Sequence, residues 1–146
     1  MTSRRSLRSL EPEMIEPLFG AGGYFINLQY GTTEAELLAF ARLKGASFIH
    51  WPDALVSYEE TAALVVALDL VISVCTAVIH LAGALGQPVW VLVPSAPEWR
   101  YLASGEGLPW YPSARLFRQK EPFAWDEVLE RVARELDAYL SFSVRK

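Results

Sequence analysis

Leu70-Val71-Ile72-Ser73-Val74-Cys75-Thr76-Ala77-Val78-Ile79-His80-Leu81-Ala82-Gly83-Ala84-Leu85-Gly86 is the stretch whose reading decides the fold. Its first five residues form a run that is apolar apart from Ser73. Such a run predicts a strand covered on both faces, in the middle of a parallel sheet. Thr76 then opens a helix that runs to Leu85, with Gly86 as its stop and Pro88 just beyond. The sequence Pro88-Val89-Trp90-Val91-Leu92-Val93 supplies the next buried strand. Strand, tight turn, helix and strand make a βαβ unit, the building block of parallel sheets. Taken as a single apolar segment, residues 62–86 could also pass for a membrane span. Asp69, Thr76 and His80 break it, and Asp69 at bilayer depth would cost about 2.5–3.5 kcal/mol.

Upstream, Glu11–Phe19 reads as a first helix, with Pro12 near its start. Tyr24–Leu28 is a short β-rich run. Thr33–Leu43 reads as a helix capped by Thr33 and stopped by Gly45. Ser47–His50 is a second short strand, followed by a turn at Trp51-Pro52-Asp53. Ser57–Leu68 is a helix in which Ser57 and Glu60 have capping-box spacing. Downstream, residues 94–112 form a loop rich in Pro, Gly and aromatic residues, and Arg115–Arg118 is a short edge strand. A last helix spans about Ala124–Leu140. Trp125, Val128, Leu129, Val132, Leu136 and Tyr139 form its apolar stripe, with Glu127–Arg131 and Glu130–Arg134 on the opposite face. The pattern predicts one α/β domain over residues 1–146, a Rossmann-like three-layer α/β/α arrangement with a mostly parallel sheet. The strand that normally opens such a unit is not seen before the first helix, so a missing strand, or one supplied by another chain or domain, is expected.

Composition narrows the function classes. Hydrophobic residues make up 52% of the chain and charged residues 21%, a balance that favours a packed globule over disorder. The net charge of −4 leaves no basic footprint for nucleic acid. One cysteine rules out a disulfide within the chain and a multi-cysteine zinc site. That, with no apolar run following the basic start, points to a reducing compartment, the cytoplasm. Two histidines without metal-ligand spacing give no metal site.

The turn between Val74 and Ala77 carries the chemistry. The first turn of a helix leaves backbone N–H groups unpaired, and the macrodipole adds positive charge there, so a phosphate is a natural guest. Thr76 and Ala77 are small enough to let an anion approach Val78 and its neighbours. The Thr76 hydroxyl can cap the helix or donate to a phosphate oxygen. His80, one turn in, can reach a phosphate or a sugar. By generic chemistry alone this signal is weak, since any strand-to-helix turn has it.

A longer string sharpens it. Thr61-Ala62-Ala63-Leu64, Leu68-Asp69-Leu70-Val71-Ile72-Ser73-Val74, Thr76-Ala77-Val78 and His80-Leu81-Ala82-Gly83-Ala84-Leu85-Gly86 form its first part. Pro88-Val89-Trp90-Val91-Leu92, Trp99-Arg100, Pro109-Trp110-Tyr111-Pro112 and Arg115-Leu116-Phe117-Arg118-Gln119 complete it. The string resembles the nucleotide-binding region of the ADP-heptose:lipopolysaccharide heptosyltransferase family. It is more similar still to the glycosyltransferase-like domains that follow tetratricopeptide repeats in bacteria. The resemblance implies a GT-B architecture, with two Rossmann-like halves facing each other. This chain looks like the C-terminal half, which holds the nucleotide sugar (of ADP or UDP type), without its first strand. The acceptor and catalytic base would come from the other half, so no catalytic residue is assigned here, and no cofactor.

On the same resemblance Arg8 matches a residue that neutralises diphosphate, and Glu34 and Glu36 lie where an acid contacts the ribose. A solvated terminal arginine and carboxylates drawn to a helix start are the alternatives. Where the family reads Ser-Val-Asp-Thr this chain reads Ser73-Val74-Cys75-Thr76. Cys75 cannot accept hydrogen bonds from sugar hydroxyls as a carboxylate does, which puts transfer activity in doubt. An inert buried thiol and a thiol activated by the helix are both open. Trp99, Arg100, Trp110 and Tyr111 form an aromatic flap that stacks on a base or sugar, packs on its own chain, or meets another domain. Arg100 and Arg118 reach phosphates or pair with local carboxylates and carbonyls. His50 reads as a structural histidine, and Asp69 as a capping residue.

Two function classes follow: the donor-binding half of a glycosyltransferase, and a non-catalytic binding or interaction module derived from one. A sugar-nucleotide epimerase half, which shares the architecture, is a third. An incomplete sheet edge beside an aromatic loop predicts self-association or a partner domain.

Overall fold

The computed structural model describes residues 9–43 and 47–143. Arg8 and Gly45 lie outside the described residues. The chain is α/β and Rossmann-like, with parallel strands in two sheets and helices packed on them. It divides into two compact units. Asp53–Ala124 forms one, and Leu10–Pro52 with the C-terminal segment from Trp125 forms the other.

In the second unit the start is tighter than the predicted helix. Pro12–Ile15 is a 3-10 turn and only Glu16–Phe19, α1, is α-helical. Two prolines, Pro12 and Pro17, remove amide donors there, which limits a longer hydrogen-bonded run. β1, Tyr24–Ile26, pairs in parallel with β2, Ser47–Ile49. Between them α2, Glu34–Arg42, starts at Thr33 with a complete capping box. Thr33 Oγ1 accepts from Glu36 N at 3.3 Å, and the Glu36 carboxylate accepts from Thr33 N at 2.7 Å. The long helix α5, Asp126–Ser143, packs against α1 and buries Trp125, Val128, Leu129, Val132 and Leu136, while Tyr139 stays half-buried.

The other unit holds the stretch that opened the sequence reading. A 3-10 turn, Pro52–Leu55, leads to α3, Tyr58–Ala67, capped by Ser57. Here the predicted box forms only its serine half, Glu60 N donating to Ser57 Oγ at 3.1 Å. β3, Val71–Val74, is followed by α4, Ala77–Ala84, then β4, Val89–Val93, and β5, Ala114–Arg118. The sheet order is β3-β4-β5, with Val71 opposite Val89 and Val89 opposite Ala114.

That order corrects the expected place of the 70–74 run. In this sheet β4, buried along its whole length, is the strand with partners on both sides, and β3 is a flank whose last three residues are half-buried. Both runs are apolar apart from Ser73, so overall hydrophobicity alone does not say which has two neighbours. α4 packs on β3 and β4 and against α3. Gly86, at φ +72°, ends α4 in the left-handed region that glycine adopts without strain. Among the described residues no helix is long and apolar enough to cross a membrane.

Candidate functional site

The β3–α4 turn opens α4 with the first-turn amides that a helix leaves without partners inside itself. Thr76 sits at the N-cap in extended conformation, and no side chain caps the helix. Its hydroxyl pairs instead with Ser73 Oγ at 3.0 Å. No acid occupies the first turn, and Thr76 and Ala77 are exposed, with Val78 half-buried. The positive end of α4 therefore faces outward without a counter-charge of its own.

Beside this turn lies the loop after β4, held down at three points. The first is Tyr111, whose ring lies against α4 at Gly83. A Cβ added at Gly83 would come within 2.3 Å of that ring. The Tyr111 hydroxyl meets His80 Nδ1 at 3.2 Å, and the two rings stand edge to face at 5.7 Å. The second is Tyr101, buried next to Cys75 and 6.3 Å from the His80 ring. Burial first, then Cys75, drives the Tyr101 hydroxyl well above its ordinary pKa, so it stays protonated.

The third is Arg118, at the end of β5. Its Nε donates to Gly105 O at 2.7 Å, its Nη1 to Leu102 O at 3.1 Å, and its Nη2 to the Tyr101 and Ser104 carbonyls. Of the two sequence readings of Arg118, carbonyl pairing is the one observed. The clamp holds Leu102 at φ +58°, a strained value for a branched side chain.

The flap residues project from this anchored base. Trp99 is 76% exposed and Trp110 is 52% exposed, their rings edge to face at 6.2 Å. Trp110 Nε1 donates to Arg100 O at 2.9 Å. Arg100 lies 6.0 Å from the Trp99 ring centre and pairs with Glu98 at 3.2 Å. Its Nε has no hydrogen-bond partner among the described residues.

Burial, then the Arg100 charge, lowers the His80 pKa from its ordinary 6.5, with Glu98 opposing. The neutral ring is the favoured form near neutral pH. When the Tyr111 hydroxyl donates to Nδ1, the ring carries its proton on Nε2 as a donor.

Cys75 is 6% exposed, and its Sγ points to Leu92 O at 3.7 Å. It forms no disulfide, and its thiol is buried. The turn thus brings together Thr76, Ala77, Val78 and His80, and the loop adds Trp99, Arg100, Trp110 and Tyr111. Glu34 is exposed at the first position of α2, and both Glu36 oxygens are engaged, by Thr33 and by Gln29 Nε2 at 3.3 Å. His50 Nδ1 meets Asn27 Nδ2 at 3.1 Å, as a structural histidine would. Sequence reasoning missed Gly83 as the seat of Tyr111, and Tyr101 as the neighbour of Cys75. Their signals, a glycine inside a helix and a tyrosine beside Trp99-Arg100, were present but ambiguous. Among the described residues no group of three or more His, Cys, Asp or Glu is placed to hold a metal ion.

The chain is similar in sequence to a curated protein. Protein FlbA of Caulobacter vibrioides is 39% identical over 125 residues, which cover 83% of this chain. The match spans 20% of FlbA, so the chain corresponds to about a fifth of that protein. No family model matches the chain, and no solved structure matches it significantly.

Proposed function

We propose that this chain binds the diphosphate of a nucleotide sugar at the start of α4, as the donor-holding part of a glycosyltransferase. The observation that carries this reading is the uncapped, acid-free first turn of α4, exposed at Thr76 and Ala77. The anchored loop beside it supports the same reading. It offers a cation at Arg100, a ring donor at His80 and two exposed indoles, a set suited to a phosphate and a flat ring. The role of the protein groups is positioning and neutralisation of a leaving diphosphate. An acceptor site and a base would come from another domain or chain, or from a second copy. A buried thiol outside any disulfide is at home in a reducing compartment such as the cytoplasm.

The buried state of Cys75 favours a second reading, a binding module without transfer activity. Where the resembling family carries an acid at the ligand cleft, this chain offers only a thiol facing Leu92 O. Both readings share the anion site and differ in turnover.

Thermal denaturation with pyrophosphate, UDP, GDP and ADP tests the shared site. A ligand at 100 times its dissociation constant is expected to stabilise the chain by about 2.7 kcal/mol, and Thr76→Trp is expected to remove the effect. No stabilisation by any of the four, or stabilisation that survives Thr76→Trp, would overturn the reading. Hydrolysis or transfer of a nucleotide sugar by the chain with its native neighbours separates the enzyme from the module.

A further inference from the structure

Trp99 is 76% exposed, and an exposed aromatic side chain by itself says little. This one stands on a fixed base. Trp110, edge to face with it, is pinned through Nε1 to Arg100 O. Arg118 holds the carbonyls of Tyr101, Leu102, Ser104 and Gly105. Leu102, three residues after Trp99, keeps a φ of +58° inside that clamp. Strain of this kind persists only where the surroundings enforce it, and it gathers at places that present a side chain to a guest.

The groups around Trp99 indicate the kind of guest. Its chain neighbours Glu98 and Arg100 form an ion pair at 3.2 Å, both partly exposed, and the guanidinium lies 6.0 Å from the indole centre. A ring face flanked by a carboxylate and a guanidinium matches a pyranose. The C–H groups on one side of a sugar ring form a small apolar face that stacks on an aromatic ring. Its hydroxyls each donate and accept, so one donates to the Glu98 carboxylate while its neighbour accepts from Arg100. The two indoles stand at 81° to each other, so they form no parallel slot that would hold a flat base on both faces. The pair is also close to α4. After burial, the charges of Arg100 and Glu98 are what moves the His80 pKa, and the ring of Tyr101, next in the chain, stands 6.3 Å from the His80 ring.

We propose that Glu98, Trp99 and Arg100 form a subsite for the pyranose ring of the nucleotide sugar, with its apolar face on the Trp99 indole and two adjacent hydroxyls on the Glu98–Arg100 pair. The proposal rests on the diphosphate site at the start of α4. The sugar is joined directly to that diphosphate, whereas the base is set apart from it by a ribose, so a subsite close to α4 falls to the sugar. Glu98 adds selectivity. In neutral to alkaline solution a free nucleoside diphosphate carries more negative charge on its terminal phosphate than the sugar ester does, and a nearby carboxylate disfavours the extra charge. The subsite therefore favours the sugar ester over the diphosphate left after transfer.

Calorimetric titration of the intact chain with pyrophosphate, UDP, UDP-glucose, ADP, ADP-glucose, GDP and GDP-mannose tests this. In at least one pair the sugar ester is expected to bind about fivefold more tightly than its own free nucleotide. Trp99→Ala is expected to bring that ratio to about one, with the free nucleotide changed by less than about twofold. Trp99→Phe, which keeps a ring, should retain part of the ratio. Glu98→Gln is expected to tighten pyrophosphate and the free nucleotides by about threefold, narrowing the ratio from the other side. Trp99 lies at the surface of its loop, so its replacement leaves the core intact. Esters that bind no better than their nucleotides in all three pairs would overturn the subsite while leaving the diphosphate site standing. So would a Trp99→Ala loss shared equally by nucleotide and ester, since the indole would then hold the base or the ribose. Failure of pyrophosphate and every nucleotide to bind would remove both sites.

Discussion

The starts of α3 and α4 solve the same problem in opposite ways. α3 closes its own end: Ser57 accepts from Glu60 N, and Glu59 and Glu60 bring negative charge to the first turn. α4 leaves its end open. Thr76 is a residue type able to cap, but its hydroxyl is turned to Ser73, and no acid follows it. α2 sides with α3, with Thr33 and Glu36 closing a full box and Glu34 adding charge. On the proposed reading, the difference says which helix end suits a guest. A helix end already neutralised from within has nothing to offer an anion, whereas one left open at the carboxyl end of a strand does.

The contrast breaks most severely if the loop beside α4 is lifted. Gly83→Ala puts a methyl group 2.3 Å from the Tyr111 ring, which must then move and give up its contact with His80. A net loss of about 2 kcal/mol is expected in denaturant titration, beyond the gain in helix propensity that alanine brings. The double substitution Gly83→Ala with Tyr111→Ala should cost less than the two single losses added together, since the clash is gone.

The caps themselves give the next effect. Ser57→Ala is expected to cost about 1 kcal/mol, and Thr76→Ala under about 0.5 kcal/mol, because only the first loses a cap. Equal losses at the two sites would erase the distinction drawn between them.

The smallest expected change sharpens the comparison most. Ala77→Glu gives α4 the charge that α3 already has. The unliganded chain should gain about 0.5 kcal/mol at low salt, while affinity for pyrophosphate falls. A gain in stability with no loss of affinity would separate the anion site from the helix end.

The legible parts of the fold are those set within a turn or two of sequence. The cap at Ser57, the helix stop at Gly86 and the buried stripe of α5 depend on neighbours three or four residues away, and each is found where its pattern placed it. The first helix was overestimated because two prolines in a helical pattern leave short 3-10 and α turns open as alternatives. The middle position in the β3-β4-β5 sheet falls to the 89–93 run and not to the 70–74 run, since strand order is a long-range property. In the candidate site the turn residues were readable because strand, small residues and helix follow one another directly. Their surroundings were not, because Tyr111 meets Gly83 and His80 only after a loop and Arg118 reaches back to carbonyls 13 to 17 residues earlier.

By itself the sequence determined the α/β class, the alternation of strands and helices, and the place of the strand-to-helix turn at Thr76, all through local hydrogen bonding and hydrophobic period. Only the tertiary structure decided that Thr76 would not cap its own helix and that Cys75 would turn inward. Those outcomes hang on which strands become neighbours and how one loop packs back, and packing across tens of residues leaves no period in the chain to read.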